Sequence, residues 1–202
     1  MRTVVAFDFD GTLSTRDNVL PFLRRVAGTA KVNWALSLAA PALLAGRRNR
    51  AKAIVVRHTL AGRGAAEVER IGEELASAIV ARHLRRDVVA RAEWHRRQGH
   101  SLVIVSASLR PYVAPIGREL GFDAVIATEI EVSEGICTGR FNGGNVRASE
   151  KVRRLDAWLG GQPAYVWAYG NSLGDRALLA RADRPVRVTR KRIVEEPSPP
   201  VP

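Results

Sequence analysis

Two aspartates one residue apart, Asp8 and Asp10, follow the short apolar run Thr3-Val4-Val5-Ala6-Phe7 in the segment Asp8-Phe9-Asp10-Gly11-Thr12. On a strand, residues i and i+2 share a face. Two carboxylates aimed into one site repel each other unless a cation or a shared proton intervenes. The simplest remedy is a hard divalent cation bound by oxygens, Mg²⁺ above others. With the pair neutralised, one carboxylate can attack a phosphorus atom and the other can protonate the leaving oxygen. The plainer alternative is a strand end and a turn, with Asp10-Gly11 as ordinary turn residues.

Such a pair needs elements to hold it. Thr3 to Phe7 is β-branched and apolar, the pattern of a buried strand. From Asp17 to about Arg97 apolar residues recur at helical spacing, as in Val19, Leu20, Phe22, Leu23 and Val26, or Val68, Ile71, Leu75 and Ile79. Alternation of strand and helix begins at Ser101. Leu102 to Val105 reads as a strand buried on both faces, ending at Ser106-Ala107-Ser108. A helix to about Leu120, a strand Ala124 to Ala127 and a hairpin from Glu129 to Phe141 follow. Next come a helix Ser149 to Leu159, a strand Ala164 to Tyr169 ending at Gly170-Asn171-Ser172-Leu173-Gly174-Asp175, and a last strand Pro185 to Val188. This pattern predicts an α/β fold: a Rossmann-like parallel sheet with a helical cap inserted after its first strand. Residues 1–13 and 87–192 form the expected core, 14–86 the cap and 193–202 a loose tail. The polar motifs fall at the carboxyl ends of strands, where open parallel sheets place ligands.

In these motifs the sequence resembles the haloacid dehalogenase superfamily of aspartate-dependent phosphatases. Four motifs appear in order: Asp8-Phe9-Asp10-Gly11-Thr12, Ser106 after an apolar strand, Lys151 at a helix start, and the glycine-led loop Gly170 to Asp175. A large helical insertion after the first motif is similar to the cap of the phosphoserine-phosphatase-like branch. The resemblance implies Asp8 as nucleophile through an aspartyl-phosphate, and Asp10 as general acid and then base. It implies Thr12, Ser106 and the backbone at Ala107 around the phosphate, and Lys151 neutralising Asp8 and the phosphoryl group. It implies Mg²⁺ held by Asp8, Asp10, Asn171 and Asp175.

This chain departs from the pattern in places. Asn171 stands where many relatives carry an acid; its amide can ligate Mg²⁺ but brings no charge, so weaker metal binding is expected, with Asp175 acting directly or through water. Asp17 lies where phosphoserine phosphatases place an acid that meets the substrate amine; it equally suits a helix N-terminus. Ala107 and Ser108 replace the two glycines that follow the motif-two serine in those enzymes.

The chain has 202 residues, is 46% hydrophobic and 26% charged, and carries a net charge of +12, which excludes disorder and collagen-like repeats. Cys137 is alone, so no intrachain disulfide can form. His58, His83, His95 and His100 lack metal-ligand spacing. Between Arg16 and Arg63 the only acid is Asp17. Such asymmetry suits an anionic partner, or a merely soluble basic face. Trp34 to Gly46 is uncharged, with Lys31 before it and Arg47-Arg48-Asn49-Arg50 after it. That segment is similar to the cap of bacterial phosphatidylglycerophosphate phosphatases. It would suit an anionic membrane surface, or form a buried helix pair broken at Pro41. The expected substrate is a phosphorylated small molecule such as phosphoserine, or a lipid headgroup phosphomonoester. Nucleic acid is not expected as a partner. No signal peptide fits the start and no apolar stretch spans a membrane, so a cytoplasmic protein is expected, free or peripheral to the inner face of the membrane. The rival from another class is a catalytically inactive basic module binding membrane or nucleic acid.

Overall fold

The computed structural model describes residues 2–190 and 192–195. In chain order the elements are β1 (Arg2–Phe7), α1 (Val19–Ala27), α2 (Thr29–Leu44), α3 (Arg48–Leu60), α4 (Ala65–Arg82), α5 (Arg86–Arg97), β2 (Ser101–Leu109), α6 (Arg110–Glu119), β3 (Ala124–Ser133), β4 (Ile136–Asn142), α7 (Ser149–Leu159), β5 (Ala164–Gly170), a 3₁₀ turn (Leu173–Asp175), α8 (Arg176–Arg181), β6 (Arg184–Val188) and β7 (Ile193–Glu195). The strands form one seven-stranded sheet in the order β4-β3-β2-β1-β5-β6-β7. Strands β3, β2, β1, β5 and β6 run parallel, and the outer strands β4 and β7 antiparallel. This is the α/β, Rossmann-like architecture expected from the alternation.

Pleating divides the core between the two faces. Val5, Phe7 and Ile104 pack on one side with Val88 and Ala92 of α5 and Val113 and Ile116 of α6. Val4, Ala6, Val103 and Val166 pack on the other with Leu155 and Leu159 of α7 and Leu178 of α8. Each fully buried side chain of this size contributes roughly 1.5–3 kcal/mol. Because β1 has β2 on one side and β5 on the other, its carboxyl end is the switch point of the sheet and opens a crevice there.

Helices α1–α4, the cap, sit between β1 and α5. The chain enters and leaves the cap side by side: Thr15 N–H donates to His83 O at 2.8 Å, and Arg85 N–H to Leu13 O at 2.8 Å. Tyr112 of α6 meets Phe9 below and Phe22 of α1 above, with ring centres 6.2 and 5.2 Å away.

Several local expectations change. Helix α2 runs unbroken through Pro41, because the carbonyl that loses its partner, that of Ser37, lies on an exposed face where water can satisfy it. Ser106 to Ser108 belong to β2 rather than following it. Strand β3 is one long strand, pairing parallel with β2 and then antiparallel with β4, and its hairpin turns at Glu134-Gly135. Gly139 lies inside β4, where a Cβ would come 2.9 Å from Arg57 O of α3. At the expected tail, Ile193–Glu195 form β7, which adds backbone hydrogen bonds to the open edge of β6. The rest of that tail, 196–202, lies outside the described residues.

Candidate active site

Strand β1 delivers Asp8 to the crevice. Asp8 N–H donates to Tyr169 O of β5 at 2.9 Å, and the chain then turns, with Thr12 N–H and Ser14 N–H both donating to Phe9 O. Gly11 makes that turn at φ +78, a left-handed conformation suited to glycine. The two aspartates therefore reach one cleft through a turn rather than through strand pleating, since β1 ends at Phe7.

Lys151 is the centre of the buried charge. Its Nζ donates to Asp8 Oδ1 and to Asp175 Oδ1, each at 2.6 Å, and all three side chains are buried. Thr12 Oγ1 donates to Asp8 Oδ2 at 3.2 Å. Asp175 Oδ2 accepts from Asn171 N, Ser172 N and Ser172 Oγ at 3.2, 2.9 and 2.7 Å. Burial pushes the Asp8 carboxyl up, and the Lys151 charge only partly offsets it. At Asp175 burial pushes the same way but is outweighed by Lys151 and Ser172, which hold it below the usual carboxylate range. Burial acts against the Lys151 charge, yet the two carboxylates raise its pKa overall. Ala148 sets this helix start: it sits at φ 56, ψ −123, and its N–H donates to Gly174 O at 3.0 Å, joining the third and fourth motifs.

Asp10 occupies a different environment. Its Oδ1 accepts from Asn18 N–H at 3.1 Å and Asn18 Nδ2 at 2.8 Å, and its Oδ2 from Ser108 Oγ. Its pKa is raised to about 7, first by burial and then by the Asp17 charge, against the pull of the Ser108 and Asn18 hydrogen bonds. That value suits a group that gives and takes a proton near neutrality.

Strand β2 supplies the hydroxyls by bulging. Val105 pairs with Ile126 and Leu109 with Thr128, so β2 carries two more residues than β3 between these pairs. The extra length turns Ser106 to Ser108 to the cleft. Ser106 Oγ accepts from Ser108 N–H at 3.1 Å. The Ala107 carbonyl accepts from Thr128 Oγ1 at 2.9 Å and from Lys52 Nζ of α3. Lys52 Nζ also donates to Asn145 Oδ1 at 2.8 Å, and Asn145 Nδ2 to Asn49 Oδ1 at 2.9 Å, so cap and core share a polar knot beside the site. Burial lowers the Lys52 pKa to about 8.

The structure thus brings Asp8, Asp10, Thr12, Ser106, Lys151 and Asp175 together, with Ala107, Asn171 and Asp17 on the cleft wall. The Asp17 carboxylate accepts from Val19 N–H at 2.9 Å, capping the start of α1 as its sequence position allows, while also facing the cleft. Sequence reasoning missed Asn18, Lys52, Asn145 and the contact of Ser108 with Asp10. The only local signal for Asn18 was an amide just before a helix.

Among the described residues, no group of three or more His, Cys, Asp or Glu side chains converges on a cation position. Both Asp175 oxygens also accept hydrogen bonds within the protein, from Lys151 and from its own loop. Asn171 lies against the first motif: a Cβ on Gly11 would fall 2.0 Å from Asn171 Nδ2. Burial raises the pKa of both Asp8 and Asp10, so their charged forms are poorly solvated there, and oxygen donors surround them. That donor set fits a hard divalent cation.

The cleft measures about 1500 Å³. It exceeds the usual 300–1,000 Å³ of a small-ligand pocket. Leu20, Leu36 and Leu43 form an apolar wall from the cap, and Arg24, Arg48 and Arg190 are among the basic residues around it.

A model of the haloacid dehalogenase-like hydrolase family matches residues 5–180. The chain is 40% identical to protein CicA of Caulobacter vibrioides over 89% of this chain and 83% of that protein. It is 31% identical to a phosphoserine phosphatase of Mycobacterium tuberculosis over 76% of this chain and 35% of that protein. Among solved structures, a Bordetella pertussis protein of unknown function superposes with a TM-score of 0.80 at 25% identity, covering 93% of this chain and 90% of that one.

Proposed function

The chain belongs to the haloacid dehalogenase-like hydrolase family, and from that premise we propose that it is a Mg²⁺-dependent phosphatase acting on phosphomonoesters through a phosphoryl group carried by Asp8. The observation that carries this reading is the contrast between two nearby carboxyls: Asp8 is paired with Lys151, while Asp10 accepts hydrogen bonds from the neutral Asn18 and Ser108 and is raised to a pKa of about 7 by burial and the Asp17 charge. One is equipped to be a nucleophile and the other to move a proton.

An Asp8 oxygen attacks phosphorus and the ester P–O bond breaks. Asp10 gives its proton to the departing alkoxide. Asp10, now a carboxylate, takes a proton from water as that water attacks the phosphorus of the aspartyl-phosphate. Phosphate leaves and Asp8 is restored. Thr12 and Ser106 hold phosphoryl oxygens, and Lys151 offsets the charge on Asp8 and the transferring group. Asn18 and Ser108 aim the Asp10 carboxyl. Asp8, the Asp10 carbonyl, Asn171 and Asp175 would hold Mg²⁺, which when bound supplies charge neutralisation at Asp8 and the phosphoryl oxygens. Residues 1–13 and 87–192 carry the chemistry, and 14–86 act as the cap that meets the rest of the substrate. The 31% identity to a phosphoserine phosphatase supports a phosphorylated small molecule as substrate, and the apolar cap wall supports a lipid phosphomonoester.

The test is phosphate release from phosphoserine, a lysophosphatidate, nucleotides and an aryl phosphate, with and without Mg²⁺, beside Asp8→Asn. Release that needs both Mg²⁺ and Asp8 is expected. Release that survives Asp8→Asn would overturn the proposal.

A further inference from the structure

Helix α2 buries its small side chains and exposes its large ones. Its buried residues are Val32, Ala35, Ala39 and Ala42, whereas Trp34 is 52% exposed, Leu38 43% and Leu44 89%. A helix on a water-facing surface ordinarily does the reverse. At 3.6 residues per turn, Trp34, Leu38 and Pro41 fall on one side, with Leu44 at its flank. Leu36 and Leu43 face the active-site cleft. The helix is therefore apolar toward its neighbours and toward the cleft, and its solvent side carries these large apolar side chains with Ser37 among them and Asn33 at the edge.

The ends of this face are basic. Lys31 precedes it, Arg47, Arg48 and Arg50 follow it, and all four are exposed. A second copy of the chain seated on the same face would bring these like charges together, which disfavours it as the occupant. An anionic surface would attract them.

We propose that α2 lies flat on an anionic lipid surface. Trp34, Leu38 and Leu44 enter the boundary between headgroups and acyl chains, and Lys31, Arg47 and Arg50 meet lipid phosphates. Arg48 follows this face and also lines the cleft, so a basic side chain links the docked end of α2 to the site. A phosphomonoester headgroup presented by a lipid, as the substrate class, rests on the phosphatase reading above; the docking itself does not.

The experiment uses the full chain and floats it with vesicles of phosphatidylcholine alone or of phosphatidylcholine with phosphatidylglycerol, at low salt. The comparison is the double variant Leu38→Glu with Leu44→Glu, whose side chains lie outside the cleft. Wild type is expected to float with the anionic vesicles only. The variant should bind at least about tenfold more weakly, with an unchanged melting temperature and unchanged hydrolysis of a soluble aryl phosphate. It should also hydrolyse a vesicle-borne phosphatidate more slowly than wild type. Three results would each overturn the docking: wild type staying in solution with anionic vesicles, the variant floating as well as wild type, or a wild-type dimer that the variant splits. Failure of aryl phosphate hydrolysis would instead overturn the phosphatase reading and leave the docking standing.

Discussion

Lys151 Nζ lies 2.6 Å from Asp8 Oδ1, with both side chains buried at the floor of the cleft. The pair joins the helix start of the third motif to the end of the first strand, 143 residues away in sequence. Because the same ammonium also holds Asp175, one cation serves two buried carboxylates.

Removing Lys151 leaves those carboxylates uncompensated. Lys151→Met should cost about 3–5 kcal/mol of stability, the range for breaking a buried pair from one side. Phosphate release should fall by at least about a hundredfold. Adding Asp8→Asn removes one stranded charge and should restore part of the stability. Urea unfolding of the two single variants and the double variant measures this, and strictly additive losses would contradict the coupling.

Asp10 titrates near pH 7 and acts first as an acid, so kcat/KM should fall as pH rises through about 7. The Asp17 charge helps raise that pKa, so Asp17→Asn should move the alkaline limb to lower pH. The Ser108 hydrogen bond lowers it, so Ser108→Ala should move the limb upward. Profiles at saturating Mg²⁺ that respond to neither variant would remove Asp10 from the acid role.

The contact between Gly11 and Asn171 can be tested from either side. Gly11→Ala adds a Cβ that collides with the Asn171 amide at a positive φ, and should destabilise by more than about 1 kcal/mol. Asn171→Asp adds the missing charge and should lower the Mg²⁺ concentration for half-maximal activity. An unchanged Mg²⁺ requirement would show that Asn171 is not a ligand.

Ala148 holds φ 56, ψ −123, a conformation that glycine adopts without strain. Ala148→Gly should raise stability by about 1 kcal/mol, with activity retained. A lower melting temperature would mean that the conformation is not strained.

His95 is fully buried between Tyr169 and His100, with its ring nitrogens 2.8 Å from the Tyr169 hydroxyl and 2.9 Å from His100 Nδ1. Burial first, then the neighbouring His100 and Arg91 charges, lower its pKa to about 3. The unfolded chain therefore binds a proton there that the folded chain does not, between about pH 6.5 and pH 3. Stability should be full above that window and fall with acidification, by up to about 1.4 kcal/mol per pH unit. His95→Phe should flatten that slope in melting curves taken from pH 7 to pH 4.

The strand-and-helix alternation, the cap after β1 and the polar motifs at strand ends were all legible in the sequence. Each rests on local periodicity or on residues within one short segment, and β1, Lys151 at the start of α7 and the 171–175 loop lie where those signals put them. What could not be read locally were contacts made across the chain. Lys52 reaches Ala107 over 55 residues and Asn145 over 93, and Ser108 reaches Asp10 over 98. The bulge that turns Ser106 to Ser108 to the cleft depends on where β2 and β3 pair, not on the residues in β2. In α2 the apolar composition was plain, but which side faces water was decided by α3 and the cleft beside it. Periodicity records which residues share a face. Which face is buried depends on the neighbour that covers it, and tertiary packing alone supplies that neighbour.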